Sequence, residues 1–201
     1  MEIVAATGNA HKLEEFQRIL APLGITVVSL AQAGTNDDGI VEDGETFAAN
    51  ARIKAQTIFQ RTGRAVMADD SGLCINALEG RPGVLSARYM GEETSYPQKM
   101  AGILRELEGV PTEKRTASFV AAICCILPDG TVLETEGRCG GIIGYEPAGS
   151  GGFGYDPLFM VGERSFAELS PAEKDARSHR GKALEELYKK LEQKLRAGEN
   201  V

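Results

Sequence analysis

Two adjacent aspartates are the first candidates for chemistry in this chain. Asp69 and Asp70 follow the apolar residues 65–68 and precede Ser71 and Gly72, a pattern that predicts a strand ending at the carboxylates. Because adjacent side chains of an extended segment point in opposite directions, we expect one carboxylate to face a site while its neighbour makes structural hydrogen bonds. Carboxylates at strand ends are common Mg²⁺ ligands, and a metal that bridges phosphate oxygens lets an acidic protein accept an acidic substrate.

A second candidate lies where a predicted first strand gives way to a helix. At such a junction, unpaired backbone N–H groups and the positive end of the helix dipole favour phosphate. The segment matches neither the G-x-G-x-x-G fingerprint nor a Walker A loop, so it does not indicate a dinucleotide enzyme or a P-loop motor. An ordinary tight turn with a solvated lysine is the alternative. The residues concerned are Thr7, Gly8, Asn9, Ala10, His11 and Lys12.

Two further clusters supply polar and aromatic groups. Glu42 lies in an acidic loop and Lys54 lies on the helix predicted after it, although most acidic loops are merely solvated. In the glycine-rich residues 149–157, Phe153 either presents its ring to a flat base or anchors a core. Downstream, His179-Arg180 and a preceding lysine, Lys174, carry hydrogen-bond donors. The four clusters together provide a phosphate loop, metal carboxylates, a base platform and donors.

The elements that must position these residues are strands and helices, which alternate along the first part of the chain. Strands are predicted at residues 2–6, 25–30 and 65–68, and the extended pattern resumes at residues 73–75. Residues 116–127 and 131–138 flank the turn sequence Pro-Asp-Gly and predict a hairpin. Because the first three strands alternate with helices while the last two form a hairpin, we predict a mixed sheet.

Helices are predicted wherever apolar residues recur at helical spacing. Ser95 with Gln98, and Ser170 with Glu173, form the start signals of two of them. The apolar stripes are Leu13, Phe16 and Leu20; Phe47, Ala51, Ala55 and Ile58; Met100, Leu104 and Leu107; and Leu184, Leu187, Leu191 and Leu195.

Composition limits the classes of function. Twenty-two basic against 29 acidic residues give the 201-residue chain a net charge of −7, the wrong sign for a general nucleic-acid binder. The longest apolar run, residues 119–127, is about half the length of a membrane span, and no export signal is recognised at the start. We therefore expect a soluble, cytoplasmic protein with no nucleic-acid or membrane partner.

The cysteines and histidines limit the kind of metal. Cys124 and Cys125 are adjacent within an apolar run, so we expect them to face opposite sides of a strand as reduced, buried thiols. With His11 and His179 as the only histidines, a zinc site has too few soft ligands. Any metal is expected to be a hard cation held by carboxylates.

Six motifs, taken in order, resemble those of the inosine triphosphate pyrophosphatase family, also called the HAM1-like or dITP/XTP pyrophosphatases. Each motif is modest alone, but six in sequence over almost the whole chain are highly specific. They are Thr7-Gly8-Asn9 with Lys12, Glu42-x-Gly44, Asp69-Asp70-Ser71-Gly72-Leu73, Ser86-Ala87-Arg88-Tyr89, residues 151–157, and Ser178-His179-Arg180-Gly181.

The resemblance implies an α/β fold with two lobes around a long mixed sheet, flanking helices and an active-site cleft between the lobes. It also implies a homodimer, a single domain over residues 1–201 without an independent boundary, and Mg²⁺ as the cofactor. The implied reaction is hydrolysis of non-standard purine triphosphates such as ITP, dITP and XTP to the monophosphate and pyrophosphate.

The resemblance also implies roles for individual residues. Asp70 is the implied proton acceptor and, with Glu42, a magnesium ligand. Residues 7–12 and Lys54 are the implied contacts of the triphosphate, and Ser71 is another implied substrate contact. The implied base pocket consists of Phe153, Gly154, Tyr155, Asp156, Lys174, His179 and Arg180.

Two alternatives remain open from the sequence. One is a nucleotide-binding or regulatory protein without catalysis, against which Asp70, Glu42 and Lys12 argue because a pure binder needs no acid beside phosphate. The other is a Maf-type pyrophosphatase that acts on pyrimidine or modified nucleotides. Pyrophosphate release from a panel of nucleotides separates all three possibilities.

Overall fold

The computed structural model describes residues 1–196, apart from the side chain of Leu195. The end of the predicted 1–201 domain, and the side chain of Leu195 in the apolar stripe predicted for the last helix, therefore lie outside the described residues. The helices are α1 (Ala10–Leu20), α2 (Phe47–Thr62), α3 (Tyr96–Glu106), α4 (Pro171–Arg177) and α5 (His179–Arg196). The strands are β1 (Glu2–Ala5), β2 (Thr26–Val28), β3 (Val66–Ile75), β4 (Thr116–Ile126), β5 (Val132–Ile143), β6 (Phe159–Val161) and β7 (Arg164–Ser165).

The seven strands form one sheet in the order β2-β1-β3-β4-β5-β6-β7. The pairs β1/β2 and β1/β3 are parallel, whereas β5/β6 and β6/β7 are antiparallel. The predicted mixed sheet with flanking helices is therefore confirmed, and so is the hairpin, since β4 and β5 are neighbours joined by a short turn.

The chain divides into two compact units. Among the described residues, unit 1 comprises residues 1–70, 121–137 and 180–196, and unit 2 comprises residues 71–120 and 138–179. Successive strand residues of unit 1 enter two different apolar clusters, because side chains alternate between the faces of a sheet. Ile3 and Cys125 belong to the cluster that includes α1 and α5, and Val4 and Cys124 belong to the cluster that includes α2. The two cysteines thus lie on opposite faces, as predicted.

Unit 2 has its own aromatic core. Phe119 of β4 packs on Phe159 with ring centroids 4.6 Å apart, and it stacks on Phe166 at 5.8 Å. Helix α3 contributes Met100 and Ile103 to the same cluster. This core supports the glycine-rich loop at residues 149–157, because Tyr155 of that loop is one of its buried members.

Strand β3 differs from the sequence-based expectation. The strand runs without interruption from Val66 to Ile75, so Asp69 and Asp70 lie inside it rather than at its end. Asp, Ser and Gly have low strand propensity, and pairing along the strand edge overrides that propensity. Strand β1 is only four residues long and pairs with Val66 and Met67 at the beginning of β3. At the end of β3 the hydrogen-bond partner comes from a later segment, since Ile75 N donates to Arg81 O at 3.2 Å.

Within residues 1–196, every helix is too short or too polar to cross a membrane.

Candidate active site

The turn after β1 is shaped by its own polar side chains. Asn9 caps α1 by accepting a hydrogen bond from Lys12 N at 3.2 Å, and Asn9 N donates to Thr7 Oγ1 at 3.1 Å. Asn is among the preferred N-cap residues because its short side chain reaches the unpaired N–H groups of the first turn. The turn borders a pocket of about 310 Å³ within unit 1. It is therefore an accessible helix start of the kind that binds phosphate.

Asp69 lies in a buried ionic cluster of unit 1. Its carboxylate pairs with Lys12 Nζ and accepts from Arg180 Nε at 3.3 Å and from Arg180 Nη2 at 3.4 Å. Arg180 Nη1 also pairs with Glu15, which is 6% exposed on α1. Two cations and two carboxylates form this set, so its formal charges cancel.

Burial and neighbouring charges shift the pKa values of Asp69 and Lys12 in this cluster. Burial alone raises the pKa of Asp69, but the charges of Arg180 and Lys12 outweigh burial and hold that pKa well below its usual range. Burial lowers the pKa of Lys12, and the charge of Asp69 opposes that shift only in part. The lowered pKa favours the ionised form of Asp69, whose carboxylate is engaged in ion pairs with Lys12 and Arg180.

Asp70 faces a different set of groups in unit 1. Asn50 Nδ2 donates to Asp70 Oδ2 at 3.1 Å, and Lys54 Nζ lies 3.6 Å from Asp70 Oδ1. The same ammonium lies 2.7 Å from Glu42 Oε2. Asn50 and Lys54 are four residues apart on α2 and so share one face of the helix.

The pKa of Asp70 moves in the opposite direction from that of Asp69. Burial raises the pKa of Asp70, and the charges of Lys54 and Lys12, with the Asn50 hydrogen bond, offset only part of that rise. A carboxylate with a raised pKa binds protons more readily, which suits a proton acceptor. Two neighbouring aspartates thus have electrostatic environments fit for different roles.

The groups around Asp70 fit a magnesium ion. Asp70 and Glu42 both contact Lys54, which leaves this set with one net negative charge. Among residues 1–196, no three or more His, Cys, Asp or Glu side chains form a group able to hold a metal by themselves. Mg²⁺ is commonly bound by one or two carboxylates together with water and substrate phosphates, so a two-carboxylate site matches its chemistry.

In unit 2, the loop at residues 153–156 is tied together by one buried carboxylate. Asp156 Oδ2 accepts from Phe153 N at 2.9 Å and from Lys174 Nζ at 2.7 Å. Lys174 Nζ also lies 4.6 Å from the centroid of the Phe153 ring. A side chain on Gly152, whose φ is +67°, would collide with the same carboxylate, so the turn requires glycine.

Tyr155 and His179 complete the unit 2 part of the candidate site. Tyr155 OH donates to Ser86 O at 2.8 Å, and burial raises the pKa of its phenol. The His179 ring stacks on Phe119 with centroids 4.8 Å apart and planes 13° from parallel. Both side chains are buried against the aromatic core described above.

A model of the Ham1 family matches residues 3–190. The chain belongs to the Ham1 family. It is 47% identical over 194 residues to the dITP/XTP pyrophosphatase of Geobacillus kaustophilus, covering 96% of this chain and 95% of that protein. It is 44% identical over 193 residues to the dITP/XTP pyrophosphatase of Bacillus subtilis, covering 95% and 97%.

Solved structures agree with this family membership. A HAM1 protein from Coxiella burnetii, 41% identical, superposes with a TM-score of 0.85 over 96% of this chain and 99% of its own. The Staphylococcus aureus Ham1 protein, 35% identical, also has a TM-score of 0.85, with coverages of 96% and 100%.

In this Ham1 family chain, many of the predicted residues lie in local groups within one unit or the other. Glu42, Lys54 and Asp70 form one set in unit 1, and Lys12 joins the ionic cluster of Asp69. Ser71 is half-buried in β3, the strand that carries both aspartates. Unit 2 holds six residues of the predicted base pocket, which are Phe153, Gly154, Tyr155, Asp156, Lys174 and His179.

Arg180 has a contact that the sequence-based prediction did not include. The resemblance placed this residue in the base pocket, and the structure pairs its guanidinium with Asp69 and Glu15 in unit 1. Base recognition by Arg180 stays a prediction.

Two residues of unit 1 were missed by the sequence analysis. Asn50 donates to Asp70 and accepts from Gly44 N at 2.8 Å, so it joins the acidic loop to β3. Glu15 pairs with Arg180 on the buried face of α1. Neither residue belongs to the apolar stripe predicted for its helix, so the spacing of apolar residues did not indicate that either side chain is buried.

Proposed function

We propose that this chain is a nucleoside-triphosphate pyrophosphatase that hydrolyses ITP, dITP and XTP to the nucleoside monophosphate and pyrophosphate. The observation that carries the proposal is the setting of Asp70, whose raised pKa and contacts with Asn50 and Lys54 separate it from its structural neighbour Asp69. The curated relatives named dITP/XTP pyrophosphatases, aligned over nearly their full length, support the choice of substrate.

The reaction breaks the bond between the α-phosphorus and the oxygen that bridges to the β-phosphate. Water forms the new bond to the α-phosphorus, and pyrophosphate leaves with the bridging oxygen. Asp70 accepts the proton that water loses, since its carboxylate binds protons more readily than an ordinary aspartate. Lys54 and Lys12 place positive charge along the leaving pyrophosphate.

Glu42 and Asp70 would hold Mg²⁺. When bound, Mg²⁺ supplies charge neutralisation for the phosphate oxygens and lowers the pKa of water. Lys54 holds the two carboxylates near one another until the cation arrives, because its ammonium contacts both.

The turn after β1 would bind the phosphate oxygens. Asn9 fixes the start of α1, so the N–H groups of the first turn are oriented before the substrate arrives. Ser71, as a further substrate contact, lies next to Asp70 on β3. The residues proposed to contact the triphosphate are Thr7, Gly8, Asn9, Ala10, His11, Lys12 and Lys54.

The loop at residues 153–156 would bind the base. Phe153 supplies an aromatic face for stacking, and the Asp156–Lys174 pair fixes the loop. Inosine and xanthosine carry an oxygen at C6 where adenosine carries an amino group, so donors favour the first two bases. A site built to hydrogen-bond its ligand rejects a mismatched analogue by about 10⁴ or more. The residues proposed to contact the base are Phe153, Gly154, Tyr155, Asp156, Lys174, His179 and Arg180.

We further propose that residues 1–201 act as one catalytic domain, that the enzyme is a homodimer and that it works in the cytoplasm. The family resemblance supports the dimer, and the acidic net charge of −7 argues against a nucleic-acid partner. Light scattering coupled to gel filtration tests the dimer, and fractionation of cells tests the location.

Pyrophosphate release from ITP, XTP, ATP, GTP, UTP and dTTP, each with Mg²⁺, tests the function. We expect ITP and XTP to be the best substrates by kcat/KM. Preference for UTP or dTTP would indicate the Maf-type alternative, and binding without pyrophosphate release would indicate a non-catalytic nucleotide-binding protein.

A further inference from the structure

The motif Ser86-Ala87-Arg88-Tyr89 has no part in the proposed chemistry, yet its first residue occupies an unusual place beside β3. Past the end of β1, the edge of β3 is covered by residues 81–86. Ile75 N donates to Arg81 O, Cys74 forms an isolated bridge with Pro82, and Leu73 N donates to Ser86 Oγ at 2.9 Å. The Ser86 hydroxyl thus takes the place of the carbonyl that a neighbouring strand would supply.

Both the hydroxyl and the carbonyl of Ser86 make further hydrogen bonds. It is 5% exposed, and its hydroxyl donates to Gly83 O at 2.7 Å. Its carbonyl accepts the hydrogen bond from Tyr155 OH at 2.8 Å. The hydroxyl of one residue is therefore fixed to β3 while its carbonyl is fixed to the loop that carries Phe153 and Asp156.

Neighbouring contacts hold this arrangement in place. The ammonium of Lys99, which is 2% exposed, donates to Ala87 O and lies 5.1 Å from the centroid of the Tyr96 ring. The Tyr96 ring meets Tyr155 edge-on, with centroids 5.2 Å apart. Two successive carbonyls, of Ser86 and Ala87, are thus fixed by donors from two separate parts of unit 2.

We propose that Ser86 is a positioning residue. By linking Tyr155 and the loop at residues 153–156 to β3, it fixes the position of the loop that binds the base. The inference rests on the proposed function, because it assumes that this loop binds the nucleotide. Ser86 itself is not among the residues proposed to contact the reacting phosphate. Its loss should therefore weaken nucleotide binding and leave the chemical step nearly unchanged.

The first test is the variant Ser86→Ala. A hydrogen bond of this kind corresponds to a change of roughly three- to tenfold in an equilibrium, so we expect KM for ITP to rise by that factor while kcat changes by less than about twofold. Ser86→Thr keeps the hydroxyl and should restore much of the wild-type KM. The matched control is Asn76→Ala, which removes an exposed hydrogen bond to Thr116 Oγ1 at the end of β3 and should leave KM unchanged.

The second test uses the other end of the link. Tyr155→Phe keeps the ring and removes the hydroxyl that binds Ser86 O, so KM for ITP should rise by a similar factor. If both residues act through one link, the double variant Ser86→Ala with Tyr155→Phe should raise KM by less than the product of the two single effects.

Hydrogen exchange provides a readout that needs no nucleotide. In Ser86→Ala, the amides of residues 153–156 and 158 should exchange several-fold faster than in wild type and in Asn76→Ala. Unchanged KM, or unchanged exchange in this loop, would overturn the proposal. If wild type released no pyrophosphate from ITP or XTP, the proposed function would fail, and hydrogen exchange alone would still decide whether Ser86 positions the loop.

Discussion

Asp69 and Asp70 are consecutive residues of β3, and their carboxylates bind different cations. Asp69 pairs with Lys12 and Arg180, whereas Asp70 lies 3.6 Å from Lys54. The alternation of side chains along a strand separates them, and the charges around each shift their pKa values in opposite directions. Substitutions at these two positions should therefore have different consequences.

Asp70→Asn should lower kcat for ITP by roughly 10²–10⁴, because the amide keeps the shape of the side chain and removes the proton acceptor. Its unfolding midpoint in urea should stay close to that of wild type. Asp69→Asn should lower the stability of the protein and leave kcat much less affected, since breaking a buried ion pair costs about 3–5 kcal/mol of stability. Steady-state kinetics and urea unfolding measure the two effects, and equal loss of turnover in both variants would contradict the separate roles.

Activity should require a divalent cation held by Glu42 and Asp70. Excess EDTA should abolish pyrophosphate release, added Mg²⁺ should restore it, and Ca²⁺ should substitute poorly because it prefers a larger and less regular ligand shell. Glu42→Gln should raise the Mg²⁺ concentration needed for half-maximal rate, while Glu45→Gln, a nearby exposed acid, should not. Full activity in EDTA would exclude the metal role.

Asn50→Ala should reduce both stability and activity. Asn50 is 1% exposed, and its removal leaves Gly44 N without its hydrogen-bond acceptor on α2 and takes a donor away from Asp70. An unsatisfied buried group costs about 1–3 kcal/mol. Thr57→Ala removes a hydroxyl bonded to Ile53 O on the same helix and serves as the control. If both variants kept wild-type kcat/KM, Asn50 would have no part in the site.

Arg180→Ala should destabilise unit 1 by about 3–5 kcal/mol, because Asp69 and Glu15 would lose a buried partner. Arg177→Ala, which removes an exposed arginine at the end of α4, should change stability little. If Arg180 also donates to the C6 oxygen, kcat/KM for ITP should fall further than that for ATP. An unchanged ratio of ITP to ATP would leave Arg180 with the ionic role alone.

Phe153→Ala should weaken ITP and GTP alike, by roughly 1–3 kcal/mol, since stacking on an aromatic ring does not depend on the substituent at C6. Phe153→Leu keeps apolar bulk without the ring, so it should recover only part of the loss. Competition binding with the two nucleotides measures both variants. A large change in the ratio of ITP to ATP would mean that the ring itself selects the base.

Local signals in the sequence were sufficient for most of the elements. Helix α2 begins at the Thr46 cap and ends at Gly63, whose φ of +62° suits glycine, and α4 begins at the Ser170–Glu173 capping box. The hairpin follows from its turn residues. These features depend on neighbours within a few positions, so the amino-acid sequence is enough to predict them.

The sequence by itself determined the divergence of Asp69 and Asp70, because alternation along a strand is a property of the backbone. Tertiary structure decided which partners each carboxylate has. Arg180 reaches Asp69 across 111 positions of the chain, and Asn50 reaches Asp70 across 20. It also decided that β3 continues through four residues of low strand propensity, since the partners that satisfy its edge come from elsewhere in the chain. Burial and neighbouring charge set the two pKa values, and both exist only once distant segments have packed together.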